Sequence, residues 1–150
     1  MKKSLFIPLL AATIASAGCT TTPTVSLKSA KPVPLARVWD VAPMVGRGET
    51  APGKAIVSII RDSAYAGSGC LHQISVDDVK VVDLGSGEFV NVALKPGSHV
   101  IRAANVGGND QGRKLCRDVQ VSEKLEVRAG EHRLYQAVLQ DTSIELNRVD

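Results

Sequence analysis

Apolar and polar residues alternate over short stretches from Lys54 to the end of the chain, as they do in strands that bury one face. Residues 55–60 are β-branched and apolar and predict a fully buried strand, whereas Val90, Val92 and Leu94 alternate on one face. Runs of the same kind cover residues 71–76, 79–84, 89–94, 99–103, 115–121, 125–127, 134–139 and 144–149. Roughly seven to nine short strands at this spacing predict an all-β sandwich.

Turn signals separate these runs. Asp77-Asp78 predicts a tight hairpin turn, and Gly85-Ser86-Gly87 and Ala129-Gly130-Glu131 predict two more. Lys95-Pro96-Gly97 places proline and glycine where a type II turn needs them. Before the regular part, residues 35–41 alternate around Trp39 and predict either a first strand or a segment packed across the sandwich edge.

The first residues have the features of a bacterial export signal. Lys2 and Lys3 precede an apolar run at residues 5–14, which is too short to span a bilayer stably. Small residues end the run, and two processing schemes fit them: Ala15-Ser16-Ala17 suits an ordinary signal peptidase, and Ala17-Gly18-Cys19 resembles the end of a lipobox.

Residues after Cys19 favour lipidation of that cysteine over release of a soluble periplasmic product. The usual lipobox leucine is replaced by Ser16, but a polar, Thr-rich stretch follows at once, as it does behind lipidated cysteines. Resemblance to sorted bacterial lipoproteins implies that Thr20, in place of an aspartate, directs the protein to the outer membrane, facing the periplasm. We therefore expect a lipid-anchored protein of the cell envelope.

This pattern divides the chain into three parts. Residues 1–18 are the predicted signal peptide, residues 19–34 the lipidated cysteine with a Thr- and Pro-rich tether, and residues 35–150 the β-sandwich domain. Proline-rich chain extends by up to about 3.1 Å per residue, so the tether is a spacer or simply a disordered N-terminus.

Composition argues against nucleic acid as a partner. The net charge is +3, but Lys2 and Lys3 are two of the 18 basic residues and all 15 acidic residues lie in the mature part. A nearly neutral chain lacks the basic surface that phosphate binding needs. Aromatic residues make up only 3% of the chain, which disfavours stacking platforms for bases or sugars.

Cys70 and Cys116 remain once Cys19 is assigned to the anchor. In an oxidising periplasm two such cysteines are expected to form a disulfide, the alternative being two buried free thiols. No Cys-x-x-Cys motif occurs, so a thioredoxin-like redox role is disfavoured.

No motif points to catalysis, a metal or a cofactor. His72, His99 and His132 lack the spacing of metal ligands and are expected to be structural. No Gly-x-Ser-x-Gly elbow is present, and no glycine-rich loop precedes a helix. We therefore expect no catalytic residues and no cofactor.

The most polar stretch, residues 107–114, is a candidate partner-binding loop, with a mobile hairpin loop as the alternative. Its side chains available for such contacts are Asn109, Asp110, Arg113 and Lys114.

Several motifs together resemble an uncharacterised family of bacterial lipoprotein domains, related to PEGA-type domains. The resemblance is carried by residues 53–62, Ile74-Ser75-Val76-Asp77-Asp78, Gly87-Glu88-Phe89-Val90, Pro96-Gly97-Ser98-His99, and Ala129-Gly130-Glu131 with Tyr135. It implies a small transthyretin-like (prealbumin-like) β-sandwich and brings no activity with it. Asp78 stands where the family has glycine, which predicts a longer hairpin here.

These features predict a non-catalytic, membrane-anchored module that binds an envelope protein or the cell wall, or contributes to envelope structure. The alternatives are a periplasmic small-ligand or glycan-binding domain and an unrecognised envelope hydrolase. A partner-binding module requires an open edge strand or an exposed apolar patch, a ligand-binding domain requires a concave pocket, and an enzyme requires titratable groups assembled in a cleft.

Overall fold

A computed structural model describes residues 25–39, 52–63, 69–107, 116, 118–139 and 143–149, and this part of the chain is an all-β sandwich, as the hydrophobic pattern predicts. Its strands are β1 (Lys31–Pro32), β2 (Ala55–Arg61), β3 (Cys70–Val76), β4 (Val79–Leu84), β5 (Glu88–Leu94), β6 (Gly97–Gly107), β7 (Gln120–Val127), β8 (His132–Leu139) and β9 (Ile144–Arg148). One turn of 3-10 helix, Leu35–Arg37, follows β1. Within the described residues, no helix has the length and apolar character needed to cross a membrane.

The strands form two sheets that face each other. The first has the order β1-β5-β2-β8-β9 and the second the order β4-β3-β6-β7. In the first sheet β2 pairs antiparallel with β5 and parallel with β8, so it lies at the centre and all seven of its residues are buried. This position explains why its sequence is almost continuously apolar and does not alternate.

Side chains from the facing sides of the two sheets form the core. Val57 and Ile59 from β2, Val92 from β5, and Ile74 and Ile101 from the second sheet have no exposed surface. The apolar filling ends towards the last residues of β2, where Arg61 takes the next inward position. The sandwich therefore has an apolar body and one polar interior end.

The turn between β3 and β4 is shorter than Asp78, in place of the family's glycine, had led us to expect. Asp77 and Asp78 alone connect the strands, with φ angles of 50° and 65°. A two-residue hairpin of this kind needs positive φ at both positions, which aspartate tolerates better than most non-glycine residues. The expectation of a longer hairpin at Asp78 was wrong.

Two further details of the predicted strand pattern are corrected. Gly97 has a φ of 133° and is the first residue of β6, so Pro96 and Gly97 carry the chain from one sheet to the other and do not form the expected type II turn. β7 is one continuous strand, although the polar residues 122–124 had suggested two. These residues are polar because β7 is an edge strand, exposed on its outer side.

The sandwich begins earlier in the chain than residue 35. The Lys31 amide donates to the Gly87 carbonyl (2.9 Å) and the Val33 amide to the Phe89 carbonyl (3.1 Å). Val33 is 6% exposed and belongs to the core. Residues 31–33, predicted as tether, are therefore part of the first sheet, because their pairing depends on a partner strand far away in sequence.

Residues 35–39 form no strand of the sheets and instead pack across an edge of the sandwich, which was the second alternative. Val38 makes an isolated bridge with Val82 of β4, and the Trp39 amide donates to the Val81 carbonyl (3.0 Å). Residues 31–39 thus run from β5 of one sheet to β4 of the other. We call this side of the molecule the N-terminal edge.

Candidate functional site

Most residues that the sequence nominated for function lie outside the described part of the chain. These are the predicted lipidation site, Cys19, and the four side chains of the candidate partner-binding loop, Asn109, Asp110, Arg113 and Lys114. Their roles stay predictions.

The two remaining cysteines are brought together as predicted. The Sγ atoms of Cys70 and Cys116 are 2.12 Å apart and their Cα atoms 5.7 Å apart, which is disulfide geometry. Cys70 is the first residue of β3, and Cys116 lies in the connection between β6 and β7. The bond therefore holds that connection against the polar interior end of the sandwich.

Arg61 crosses this end of the interior from one sheet to the other. Its Nη1 donates to the carbonyl of Cys70 and to the carbonyl of Leu84 (3.1 Å), at the start of β3 and the end of β4. Burial lowers the pKa of the guanidinium, while the charges of Asp62 and Glu88 oppose that shift. The charged group thus satisfies strand-end carbonyls that the apolar core cannot.

His72 and Asn105 face each other across β3 and β6 beside Arg61. His72 has no exposed surface, and among the described residues neither of its ring nitrogens has a hydrogen-bond partner, nor does Oδ1 of Asn105. Burial, and then the charge of Arg61, lowers the pKa of His72 to about 3, so the ring is neutral. The positive charge of Arg61 disfavours the binding of a cation beside His72.

The other two histidines lie elsewhere. His99, on the same strand as Asn105 but six residues earlier, lies near the opposite end of the sandwich, and His132 is exposed at the start of β8. In the part of the chain that the structure describes, no three His, Cys, Asp or Glu side chains are close enough to hold a metal ion.

His99 fastens the β3–β4 turn to β6. Its Nδ1 contacts Oδ2 of Asp77 (2.7 Å) and its Nε2 contacts the Lys95 carbonyl (2.8 Å), so both nitrogens face acceptors and both donate. Burial lowers the pKa of His99, but the hydrogen bonds to Asp77 and Lys95 outweigh it and the pKa is raised. Burial raises the pKa of Asp77, but hydrogen bonds from His99 and the Val100 amide lower it overall.

The N-terminal edge is closed by an ion pair. Arg37 contacts the carboxylate of Glu88 and donates through Nη1 to the Asp83 carbonyl (3.2 Å). The second oxygen of Glu88 accepts a hydrogen bond from the Gly85 amide (2.7 Å). These contacts join the N-terminal segment to the β4–β5 connection.

The opposite edge of the sandwich is formed by β7 and β9, the last strands of their sheets. The Asn105 amide donates to the Val119 carbonyl (2.9 Å), which marks that pair as hydrogen-bonded. Hydrogen bonding alternates along an antiparallel ladder, so Ser122 and Lys124 direct their amides and carbonyls away from β6. No described residue pairs with this outer side of β7, and we call it the open edge.

An open depression of about 470 Å³ lies beside the Ala129-Gly130-Glu131 turn. Its charged walls are Glu126, Arg128, Glu131 and Arg133. Arg133 is paired with Glu131 (Nε to Oε1, 2.7 Å), whose other oxygen accepts the Arg128 amide (2.8 Å). Much of the charge in the depression is therefore compensated within the turn itself.

The sequence did not nominate Arg61, and it named an open strand edge as a candidate surface without identifying the strand. The available signal for Arg61 was its position directly after a buried run, in register with the inward residues Val57 and Ile59. An edge strand is a property of sheet order, which one sequence does not reveal. No protein-family model matches the chain, and comparison with curated proteins finds no match.

Proposed function

We propose that this chain is an exported, lipid-anchored envelope module that acts by association, binding another envelope component by strand addition at the open edge. The observation that carries the proposal is the position of the two edges. The N-terminal edge receives the segment that leads from Cys19, and the open edge lies on the other side of both sheets. An anchored domain of this shape presents its unpaired strand away from its tether.

The outer side of β7 suits an added strand of selected chemistry. Every second residue of β7 directs outwards backbone groups that no described residue pairs with, the feature that β-augmentation uses. Glu123, Lys124 and Glu126 are exposed along it, and Glu123 occupies an inward-facing position in register with Leu125. Charges along an edge strand disfavour its pairing with arbitrary strands of other molecules. A partner strand therefore needs charges that complement those of β7.

Anchoring is tested separately from binding. Globomycin treatment of cells is expected to accumulate an unprocessed precursor, and Cys19→Ser is expected to release the protein from membranes. A mature N-terminus that proves to be unmodified Gly18 contradicts the lipoprotein assignment.

Strand addition is tested with a backbone change at the open edge. Lys124→Pro removes an amide that points away from β6 and leaves the β6–β7 ladder intact. Lys124→Ala is the matched control, because it removes the same side chain and keeps the amide. Crosslinking in the native envelope, followed by mass spectrometry, is expected to lose a partner with Lys124→Pro and retain it with Lys124→Ala.

The predicted loop provides the competing surface. Joint replacement of Asn109, Asp110, Arg113 and Lys114 by alanine is expected to change the crosslinks only if that loop makes the contact. Crosslinks that survive Lys124→Pro unchanged overturn binding at the open edge. Turnover of a peptidoglycan fragment, lipid or peptide by the purified protein, abolished by one His or Ser substitution, overturns the non-catalytic assignment.

A second candidate function is small-ligand or glycan binding, favoured by the depression beside Gly130. Arg128 is the wall residue to test, because Arg133 is held by Glu131. Ligand-observed NMR with peptidoglycan fragments is expected to show contacts that Arg128→Ala removes. Equal signals from parent and variant exclude the depression as the binding site.

A further inference from the structure

We propose that the N-terminal edge is a membrane-binding face that rests on an anionic lipid surface, with Leu35 and Trp39 at the interface. This inference deepens the proposed anchoring, because it assigns the orientation of the anchored domain. Three observations support it: the distribution of exposed apolar side chains, the positive charge of the exposed lysines on this edge, and the short length of chain between Cys19 and β1.

Exposed apolar side chains are concentrated on this side of the molecule. Among the described residues, six large hydrophobic side chains are exposed, and three of them, Leu27, Leu35 and Trp39, belong to residues 25–39. A fourth, Val79, lies on β4, the strand that residues 38 and 39 contact. Leu35 is 65% exposed and Trp39 is 45% exposed, although the neighbouring Val33 is buried in the core.

Charge on this segment complements anionic headgroups. Residues 25–39 contain no acidic residue and their two lysines, Lys28 and Lys31, are exposed, whereas the charge of Arg37 is paired with Glu88. Nζ of Lys80 lies 5.5 Å from the centroid of the Trp39 ring, which adds a cation beside the indole. Tryptophan flanked by basic residues is the combination that favours the boundary between headgroups and acyl chains.

The tether keeps this face close to the membrane. β1 begins at Lys31, twelve residues after Cys19, and a chain of that length reaches at most about 40 Å even when fully extended. A lipid on Cys19 thus holds Leu35 and Trp39 at high effective concentration near the bilayer. Individually weak interfacial contacts are enough to orient the domain under this condition.

Trp39 is the only tryptophan of the chain, so its fluorescence reports directly on the proposed face. The mature chain carrying Cys19→Ser, which cannot be lipidated, is mixed with vesicles of phosphatidylethanolamine and phosphatidylglycerol. We expect a saturable blue shift of Trp39 emission and quenching by brominated acyl chains. Both effects are expected to weaken with added salt, and to be reduced several-fold in vesicles without phosphatidylglycerol.

Substitutions locate the contact. Leu35→Ser and Lys31→Glu are expected to reduce vesicle binding several-fold, because both side chains are exposed on the N-terminal edge. Val100→Ser and Lys124→Glu are matched controls on β6 and β7 and are expected to bind like the parent. An unshifted, unquenched Trp39, or an equal loss in the controls, overturns the proposal.

The outcome is separable from that of the proposed function. Vesicle binding is measured on an unlipidated chain, so it neither requires nor tests acylation of Cys19. If Cys19 is acylated in cells and Trp39 stays unquenched, the anchor stands and the membrane-binding face is wrong. Photo-crosslinking from position 35 in cells that captures a protein in place of lipid likewise overturns it.

Discussion

His99 is a residue whose protonation holds two elements together. Its folded-state pKa is raised, so its contribution to stability is fully present below about pH 6.5 and is lost as the pH rises through that folded-state value. The pKa of Asp77 is lowered, so its contribution is present above about pH 4 and is lost as the pH falls further. The pair therefore stabilises the turn most between these limits.

We predict that His99→Gln lowers the free energy of unfolding by about 1 kcal/mol at pH 6 and by much less at pH 9. Urea unfolding at the two pH values measures the difference. His132→Gln is the control, because that side chain is exposed at the start of β8. An equal loss at both pH values shows that charge on His99 is not what fastens the turn.

His72 has the opposite pH dependence. Because its folded-state pKa is about 3, the unfolded chain takes up a proton below pH 6.5 while the folded chain does not, and stability falls as the pH decreases. Its two ring nitrogens also make no hydrogen bonds to any residue that the structure describes. Replacing it with an apolar residue removes both penalties.

We therefore predict that His72→Leu raises the free energy of unfolding by about 1–3 kcal/mol and flattens its decline between pH 6.5 and pH 3. Chemical denaturation across this pH range is the measurement. A large destabilisation at neutral pH means that the ring makes contacts on which the fold depends, and that its unpaired nitrogens are not its main energetic effect.

At the scale of elements, the hairpin between β3 and β4 carries the strain of two aspartates at positive φ. Asp78 has a φ of 65°, and Arg102 pairs with its carboxylate (2.9 Å) at the surface. Glycine adopts this conformation without the Cβ penalty of roughly 1 kcal/mol, and an exposed ion pair contributes little.

We predict that Asp78→Gly leaves stability unchanged or raises it slightly, whereas Asp78→Ala lowers it by about 1 kcal/mol. Thermal unfolding of the two variants side by side measures the energetic cost of the left-handed backbone conformation, because both variants remove the same carboxylate. If alanine and glycine are equivalent, the left-handed geometry of the turn is not a source of strain.

The connection between β6 and β7 depends on the bond between Cys70 and Cys116. These residues are 46 positions apart, and closing a loop of that length stabilises a fold by about 4 kcal/mol in the chain-entropy description. In the Cys19→Ser background, we predict that replacing both cysteines by alanine causes a loss of this size in urea unfolding. Intact mass after alkylation checks the bond itself: both thiols must resist alkylation until the protein is reduced.

For the molecule as a whole, the alternation of apolar and polar residues correctly predicted local features of the chain. Val90, Val92 and Leu94 appear in the core where the pattern placed them, and Asp77-Asp78 is the turn. The sequence did not predict three long-range features, which are the pairing of β1 with β5, the parallel pairing of β2 with β8, and the hydrogen bonds of Arg61 between the sheets. Each depends on a partner distant in sequence, and a periodicity of two carries no information about partners.

The sequence predicted which types of surface could bind a partner, but not where they lie on the molecule. The sequence named an open strand edge as one candidate surface, beside an apolar patch and the loop at residues 107–114, but the identity of that strand followed from sheet order. Exposed Trp39 was singled out as the only tryptophan, yet its place on an edge became visible only with its contact to Val81. The surfaces proposed for binding depend on which strands are last in each sheet, and that order is not encoded in the local pattern.

The attachment of residues 31–39 also has a mechanical consequence. A force applied to the chain on the N-terminal side of the domain enters it at Lys31, where β1 is held by the amides of Lys31 and Val33 and by the burial of Val33. Load reaches the core only after this segment has been peeled away, and peeling uncovers the backbone of β5 and β4. In a single-molecule pulling experiment from the N-terminus, we expect a small early extension at low force, well before the disulfide-clamped sandwich gives way.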